Sequence, residues 1–269
     1  MLALIRGAGD LASGIALRLF RSGISVILTD LPHPTAIRRT VAFSEAIVHG
    51  KTEVEGVVAH RVATAAEALE TLKKGIIPVL ADAECRCRTE LKPDVLVDAI
   101  LAKRNLGTSI SDAPIVVGVG PGFTAGIDCH AVVETMRGHT LGRVIHTGSA
   151  LPNTNVPGLI GGFAGERVLR APADGIFRAA AAIGDAVSEG DTVGFVAGVP
   201  MKCTISGVLR GLIADGTTVH TGMKSGDVDP RGEISYCKTA SDKALAIGGG
   251  VLEAILHLSN ALGGVRHGK

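Results

Sequence analysis

The chain has 269 residues, of which 46% are hydrophobic and 36 are glycine, so it is long enough for two domains with a large core. Trp is absent and Tyr occurs once, so this core must be aliphatic, and a net charge of +1 argues against a general nucleic-acid-binding protein. Five irregularly spaced cysteines do not suggest a disulfide framework, and no apolar run approaches the length of a membrane span. With no recognisable signal peptide, we expect a cytoplasmic protein without a membrane partner.

The first half of the chain alternates apolar strands with amphipathic helices. Strands are predicted at 2–5, 25–30, 76–82, 94–100, 114–120 and 142–148. Helices are predicted at 11–21, 64–75 and 124–138, and the stretch 40–62 could add further strands. This alternation predicts βαβ units, and therefore an α/β fold with a Rossmann-like doubly wound parallel sheet over residues 1–150.

A glycine turn joins the first predicted strand to the first predicted helix. Its pattern is Gly7-x-Gly9-x-x-Ala12, and Asp30 ends the second strand where a dinucleotide fold places its ribose-binding acid. Asp10 lies where a phosphate would meet the helix start, and its carboxylate would repel an anion. The turn therefore either binds a nucleotide or needs its glycines for packing alone.

A second glycine-rich turn, at 118–126, follows the strand at 114–120. Gly118, Gly120 and Gly122 leave the backbone uncovered, so its N–H groups could approach an anion at the carboxyl end of the sheet. The alternative is a rigid connection beneath a domain contact. Arg38 and Arg39, which follow the second strand, could grip a phosphate or could be surface charge.

The second half of the chain repeats itself. Residues 174–194 and 206–226 share glycines and apolar positions at a constant offset of 32 residues, so Gly175 recurs as Gly207. The pattern resembles the biotinyl/lipoyl-like (barrel-sandwich) hammerhead, which predicts a small β domain with an internal two-fold repeat at 165–238. Lys202 lies several residues beyond the predicted hairpin tip, so no biotin or lipoyl group is expected on it. A C-terminal helix is predicted within 239–269, with Thr239 or Ser241 as its N-cap.

Two groups of side chains are candidates for catalysis. On the predicted helix at 124–137, His130, Glu134 and Arg137 share one face, as an acid/base or metal-binding cluster or as a solvated polar stripe. Asp98 ends a strand and Lys103 follows it, so both would reach the crevice. Lys103 beside this carboxylate could bind phosphate or act as a base, or the two could form a plain ion pair.

Two thiols flank a cation in Cys85-Arg86-Cys87, and Arg86 would lower the pKa of a neighbouring thiol. The pair has too few neighbouring ligands for structural zinc, so we expect no metal site there. An incidental loop pair is the alternative, and the sequence does not decide whether these cysteines handle selenium or sulfur.

The motifs together resemble the YqeB family of selenium-dependent molybdenum hydroxylase maturation proteins. The segments that carry the resemblance, in chain order, are "IRGAGDLASGIALRL", "PTAIRRTVAFSEA", "KPDVLVDAILAKRN", "GPGFTAGIDCHAVVETMRGH" and "GDVDPRG". The resemblance implies an accessory protein whose partners are a molybdenum hydroxylase and its maturation factors. It assigns no catalytic residues.

On this reading a glycine-lined crevice binds a phosphate-bearing molecule, either a nucleotide or the molybdenum–pterin cofactor. Two alternatives stay open: an NAD-linked oxidoreductase, and a carrier or docking module that works through the β domain. Whether the chain is an enzyme is not decided by its sequence, and a homo-oligomer is compatible with it.

Overall fold

A central sheet organises the first half of the chain. The computed structural model describes residues 1–154 and 156–260. The strands of this half are β1 (Leu2–Arg6), β2 (Ser25–Asp30), β3 (Lys51–Val54), β4 (Val57–Val62), β5 (Ile77–Ala81), β6 (Val95–Asp98), β7 (Ile115–Val119), β8 (Thr124–Ala125), β9 (Ala131–Val133), β10 (Val144–Ile145) and β11 (Gly148–Ser149). The helices are α1 (Asp10–Arg21), α2 (Glu45–His49), α3 (Ala65–Leu72) and α4 (Arg88–Leu91).

Within the described residues the main sheet has nine strands in the order β10-β9-β7-β6-β1-β2-β5-β4-β3. Seven of them, from β9 to β4, pair in parallel, whereas β10 and β3 pair antiparallel at the two edges. The strands β8 and β11 form a separate antiparallel pair. The prediction of a doubly wound parallel sheet is therefore wrong, because the sheet is mixed and has antiparallel edge strands.

The predicted helix at 124–138 is absent, and this absence changes how the sheet is covered. Residues 131–133 are buried and apolar and include the β-branched Val132 and Val133, so they form β9 between β7 and β10. Before β9, Asp128 closes a tight turn by accepting the backbone N–H of Thr124 at 2.7 Å. Parallel strands β7 and β9 are thus joined without a crossover helix.

A helix from the far end of the chain takes that place. The helix α5 (Asp242–Ser259) packs against α1, and both contribute Ile15, Leu19, Ile247 and Val251 to the largest core cluster. Gly14 permits this contact, because a Cβ there would lie 2.9 Å from the backbone carbonyl carbon of Ala244. The helix runs through Gly248–Gly250 without interruption.

Ser241 caps α5, as predicted, by accepting the N–H of Ala244. Residues 261–269 of the predicted C-terminal segment lie outside the described residues. In the described part, no helix combines the length and the hydropathy that crossing a membrane would require.

The second half of the chain is built from antiparallel β structure. Its strands are β12 (Val168–Arg170), β13 (Gly175–Ala179), β14 (Ala186–Val187), β15 (Thr192–Val196), β16 (Val199–Lys202), β17 (Gly207–Leu212), β18 (Thr218–Val219) and β19 (Lys224–Asp229). The strands β13, β14 and β15 recur as β17, β18 and β19, each beginning at the position that the sequence repeat predicts. The two copies exchange edges, since β13 pairs with β18 and β14 with β17.

The prediction of a biotinyl/lipoyl-like barrel-sandwich is corrected by the sheet order. The described strands form two four-stranded antiparallel sheets, β12-β19-β17-β14 and β16-β15-β13-β18, and each sheet has an edge strand, β12 or β16, from outside the two repeated segments. This arrangement is not clearly a barrel-sandwich. The β15–β16 turn lies at Ala197–Gly198, and the exposed Lys202 lies at the far end of β16.

Candidate functional site

A cavity of about 540 Å³ lies between the sheet of the first half and the β structure of the second. On the sheet side it is lined at the carboxyl ends of β1, β6, β7 and β9, by Leu11, Leu101, Pro121 and Thr135 among others. The chain passes from β1 to β2 on one side and returns to β6 on the other, so this edge holds the topological switch point of the sheet. Open α/β sheets bind ligands at this place.

Positive charge dominates the lining of this cavity. Only two carboxylates from the described part of the chain line it, those of Asp10 and Asp227. Among the described residues, eight cationic side chains line it: Arg38, Lys103, Arg137, Arg167, Arg170, Arg210, Lys224 and Lys243. In a concave site such an excess of one charge concentrates anions. We therefore refer to it as the cationic cavity.

Part of this charge is fixed by a buried ionic network in the second half. Arg167 donates through Nη1 to Asp227 Oδ1 at 2.6 Å, and Arg210 donates through Nε and Nη2 to Asp227 Oδ2 at 3.0 and 2.8 Å. Arg210 also donates through Nη1 to Asp229 Oδ2 at 2.9 Å. Because all these residues are buried and multiply bonded, the two guanidinium groups have fixed positions in the cavity wall.

Arg38 and Arg39 connect the two halves of the chain. Buried Arg38 donates to Asp10 at 3.4 Å and to the carbonyls of Tyr236 and Thr239, and burial lowers the pKa of its guanidinium while Asp10 raises it. Arg39 donates to the carbonyl of Leu212 at 2.9 Å. Arg38 lines the cationic cavity, whereas Arg39 is not among the lining residues.

Lys224 and Lys243 contribute charge that the protein does not neutralise. Within the described residues, neither ammonium group has a carboxylate oxygen within 4.0 Å. The Lys224 side chain is exposed to water within the cavity. Protein atoms nevertheless surround its ammonium group on several sides, and this partial burial lowers its pKa. Burial also lowers the pKa of half-buried Lys243, and the charges of Arg137 and Lys224 lower it further.

One side of the first glycine turn is hydrogen-bonded to the carboxylate of Asp30. Ala8 N–H donates to Asp30 Oδ2 and Leu31 N–H to Asp30 Oδ1, both at 2.7 Å, and burial raises the pKa of Asp30. Gly7, with φ +108°, packs so tightly that a Cβ would lie 2.9 Å from the carbonyl oxygen of Ala99. Asp30 is therefore engaged by the backbone and does not line the cationic cavity.

On its other side the same turn borders the cavity. Gly9 is the N-cap of α1, no side chain caps the helix, and a Cβ at Gly9 would meet nothing within 4 Å. Asp10 and Leu11, in the first turn of α1, line the cavity. The positive end of the α1 dipole thus adds to the charge of the site, and Asp10 offsets part of it.

The glycines of the second turn are packed against the protein itself. A Cβ on Gly118 would lie 2.8 Å from Cβ of Phe123, and one on Gly122 would lie 2.6 Å from Cα of Arg104. Gly120 packs in the same way against the hydroxyl of Thr135. Pro121 of this turn lines the cavity. The two glycine turns therefore lie at the same edge of the sheet, but protein atoms occupy the space beside the glycines of the second turn.

Asp98 and Lys103 are separated rather than paired. Asp98 is fully buried and accepts hydrogen bonds from Arg6 Nη1 at 3.2 Å and from Thr108 Oγ1 at 2.6 Å. Lys103 is exposed, has φ +62°, and lines the cationic cavity. Arg6 therefore takes the place of Lys103 as the partner of the carboxylate.

His130, Glu134 and Arg137 do not share a helix face, because no helix forms there. His130 Nδ1 accepts the N–H of Val116 at 2.9 Å. Arg137 forms a two-pronged ion pair with Asp242 at 2.6 and 2.9 Å, and it lines the cavity. Each side chain thus contacts a different part of the chain, and these contacts replace the predicted cluster.

Glu134 shapes the cavity wall without lining it. This carboxylate is 2% exposed and accepts the N–H groups of Thr135, Met136 and Leu151 at 2.7 to 2.8 Å. Those three residues line the cavity. These contacts indicate that Glu134 positions the backbone of the cavity wall.

The two thiols of the Cys85–Cys87 loop are buried in the core cluster on the other side of the sheet. A hydrogen bond with Cys87 is the main cause that lowers the pKa of Cys85, and the same bond raises the pKa of Cys87. Arg86 pairs instead with Glu84 at 2.6 Å, and both side chains are exposed. The cation that favours the Cys85 thiolate is Arg6, not Arg86.

More than half of the charged cavity lining was not recognised in the sequence. The missed residues, six of the ten charged ones, all come from the second half of the chain: Arg167, Arg170, Arg210, Lys224, Asp227 and Lys243. One available signal was a charge within an otherwise apolar strand, such as Arg210 in "VLRGLI". The repeat gave no help in recognising Arg210, because the equivalent Arg178 in the first copy is exposed and pairs with Asp215 at 3.3 Å.

Comparison with known proteins supplies one close relative. "Uncharacterized protein YqeB" of Escherichia coli (strain K12) is 52% identical over 257 residues, which are 96% of this chain and 48% of that protein. The chain is a homologue of YqeB. It spans about half the length of this curated relative. No protein-family model matches the chain.

Solved structures resemble the chain only distantly. An aspartoacylase family protein from Mesorhizobium loti is 12% identical, with 84% of each chain covered and a TM-score of 0.28. A succinylglutamate desuccinylase from Silicibacter sp. TM1040 is 14% identical, with 84% of each chain covered and a TM-score of 0.25. The ectoine utilization protein EutE (DoeB) from Ruegeria pomeroyi is 11% identical, with 76% of this chain and 57% of that chain covered and a TM-score of 0.24. Similarity at this level supports no functional argument.

Proposed function

We propose that the chain binds a phosphate-bearing small molecule in the cationic cavity and acts as an accessory protein in the maturation of selenium-dependent molybdenum hydroxylases. The observation that carries the binding proposal is the excess of eight cationic side chains over two carboxylates around one cavity. The maturation role is supported by the resemblance of the sequence motifs to the YqeB family. Its partners would be the hydroxylase and its other maturation factors.

A phosphate-bearing molecule suits both the charge and the surface of the cavity. Charge-assisted hydrogen bonds to phosphate oxygens are the strong ones, and arginine matches their geometry particularly well. Leu11, Leu101, Met136 and Val168 add apolar surface that an organic body could contact. A nucleotide or the molybdenum–pterin cofactor combines these two features.

The site gives no support to an NAD-linked oxidoreductase. That reading required Asp30 to receive the ribose hydroxyls. Both oxygens of Asp30 accept backbone N–H groups, and its side chain does not line the cavity. Binding without hydride transfer is the simpler function for this arrangement.

A thermal-shift and calorimetry series tests the binding proposal. Nucleotides and isolated molybdenum–pterin cofactor are added to the protein, and a true ligand at 100 times its Kd stabilises the folded state by about 2.7 kcal/mol. Lys103→Gln should weaken the effect. Lys51→Gln, an exposed lysine on the edge strand β3, is the control and should not. Failure of every phosphate-bearing compound to stabilise the protein would refute the proposal.

The maturation role requires a separate experiment in the native host. We expect a hydroxylase purified from a strain without this protein to contain less molybdenum–pterin cofactor or selenium, as measured by metal and cofactor analysis. Complementation with the unchanged chain should restore both. A fully loaded, active hydroxylase from the deletion strain would contradict this role while leaving ligand binding intact.

A further inference from the structure

We infer that the ligand of the cationic cavity carries at least two linked phosphoryl groups, and that Lys224, Lys243 and Arg170 bind this diphosphate. The inference rests on the proposed function and specifies the class of ligand. Three observations support it: the charge that remains unpaired, the position of that charge, and the fixed character of the rest of the wall.

The first observation is a charge balance over the described residues. Four of the eight lining cations have carboxylate partners: Arg38 with Asp10, Arg137 with Asp242, and Arg167 and Arg210 with Asp227. The other four have no carboxylate oxygen within 4.0 Å, and they are Lys103, Arg170, Lys224 and Lys243. One phosphate monoester carries a charge of about −1.5 to −2 and would leave much of this unbalanced. Two phosphoryl groups come close to matching it.

The second observation is where the unpaired cations lie. Arg170 on β12 and Lys224 on β19 are direct partners in the antiparallel register, and both line the cavity. Like charges directly opposite each other destabilise a sheet. Arg170 does donate to the carbonyl of Gly222 at 2.9 Å, but this leaves its positive charge uncompensated. An anion between the two side chains would remove the repulsion.

Lys243 extends this pair toward the first half of the chain. It lies in the first turn of α5, and the charge of Lys224 is near enough to lower the pKa of its ammonium group. Lys243, Lys224 and Asp10, which stands at the start of α1, line the same cavity. Lys243 is therefore a further unpaired cation in this cavity, available to a second phosphoryl group.

The third observation is that the paired arginines are held in position. Arg167 and Arg210 are bonded to Asp227 and are buried, so they provide a fixed positive wall. The lysines are flexible point charges with no such restraint. The combination of a rigid wall with mobile unpaired ammonium groups suits a diphosphate whose two groups need different contacts.

Isothermal titration calorimetry at low ionic strength tests the inference with inorganic phosphate, inorganic pyrophosphate, AMP and ADP. Pyrophosphate should bind at least tenfold tighter than phosphate, and ADP at least tenfold tighter than AMP. Lys224→Met and Lys243→Met should each weaken pyrophosphate binding at least tenfold. Lys202→Met, on the exposed end of β16, is the matched control and should bind as the unchanged protein does.

The thermal stability of the ligand-free variant distinguishes a loss of ligand contacts from a folding defect. Because Lys224→Met removes the charge opposite Arg170, the free variant should unfold at the same temperature as the unchanged protein or higher. A clearly lower Tm would show that Lys224 has a structural role and would overturn its assignment as a ligand-binding residue.

The remaining outcomes separate the two proposals. Equal affinity for phosphate and pyrophosphate, and for AMP and ADP, would overturn the diphosphate inference and leave the proposed function in place. Full pyrophosphate affinity in Lys224→Met and Lys243→Met would overturn the assignment of these residues. Binding of none of the four compounds would count against the proposed function itself.

Discussion

Replacing Asp227 by asparagine should destabilise the protein by about 3 kcal/mol, because it removes the only carboxylate shared by two buried arginines in the described network. Asp227 is 2% exposed and accepts three charge-assisted hydrogen bonds, one from Arg167 and two from Arg210. Removing one partner of a buried ion pair typically costs about 3–5 kcal/mol, since the remaining charge stays buried without compensation.

The lower end of that range applies here. Arg210 keeps its bond to Asp229 at 2.9 Å, and Arg167 keeps the carbonyl of Gly158 at 3.2 Å. The asparagine oxygen can also accept one of the lost bonds, but it carries no charge. The loss of charge, and not of volume, therefore sets the magnitude.

Urea denaturation followed by circular dichroism measures the effect as a change in the free energy of unfolding at constant m-value. Asp215→Asn is the control, because Asp215 pairs with Arg178 at 3.3 Å on the surface, where such pairs contribute under about 1 kcal/mol. If Asp227→Asn cost no more than this control, the two arginines would not depend on Asp227, and our account of the rigid cavity wall would be wrong.

Two further predictions concern the helix contact and the dependence of stability on pH. Gly14→Ala should destabilise the protein by about 1–3 kcal/mol in urea denaturation, because the new methyl group meets the backbone of Ala244, whereas Gly249→Ala, on the open face of α5, should stabilise it by up to about 1 kcal/mol; equal effects would contradict the close packing. The pair with Arg137 lowers the pKa of Asp242 to about 2, below its ordinary value, so its stabilisation is present above about pH 4 and is lost as the pH falls toward 2. The difference in Tm between the unchanged protein and Asp242→Asn should shrink over that window in thermal unfolding, and a constant difference would exclude the pair as its cause.

Local sequence signals predicted several elements at nearly their true positions. Short apolar runs ended by glycine or aspartate gave β1, β2 and β5 to β7, and amphipathic spacing gave α1 and α3. The 32-residue repeat predicted two related sets of strands in the second half, and Ser241 was one of two predicted N-caps for α5. These features depend on neighbours within a few residues, or on similarity between two segments, so they can be read from the chain directly.

The same local reading was wrong at 124–138. Polar residues at helical spacing indicated a helix there, but the apolar Ala131–Val133 segment completes the sheet between β7 and β10. Pairing with two strands and burial of all three residues outweigh a weak helical preference. The face that this helix would have covered is taken by α5, which no local pattern could show.

The sequence by itself determined where five strands of the central sheet and the helices α1, α3 and α5 begin, where a glycine turn precedes α1, and that the second half contains two related copies. Only the tertiary structure decided that the sheet is mixed and that charges from both halves meet around one cavity. The physical reason is distance along the chain, since Arg167 pairs with Asp227 and Arg38 reaches Tyr236 across 60 and 198 positions. Which cation gains a partner, and which stays free for an anion, depends on those long-range contacts.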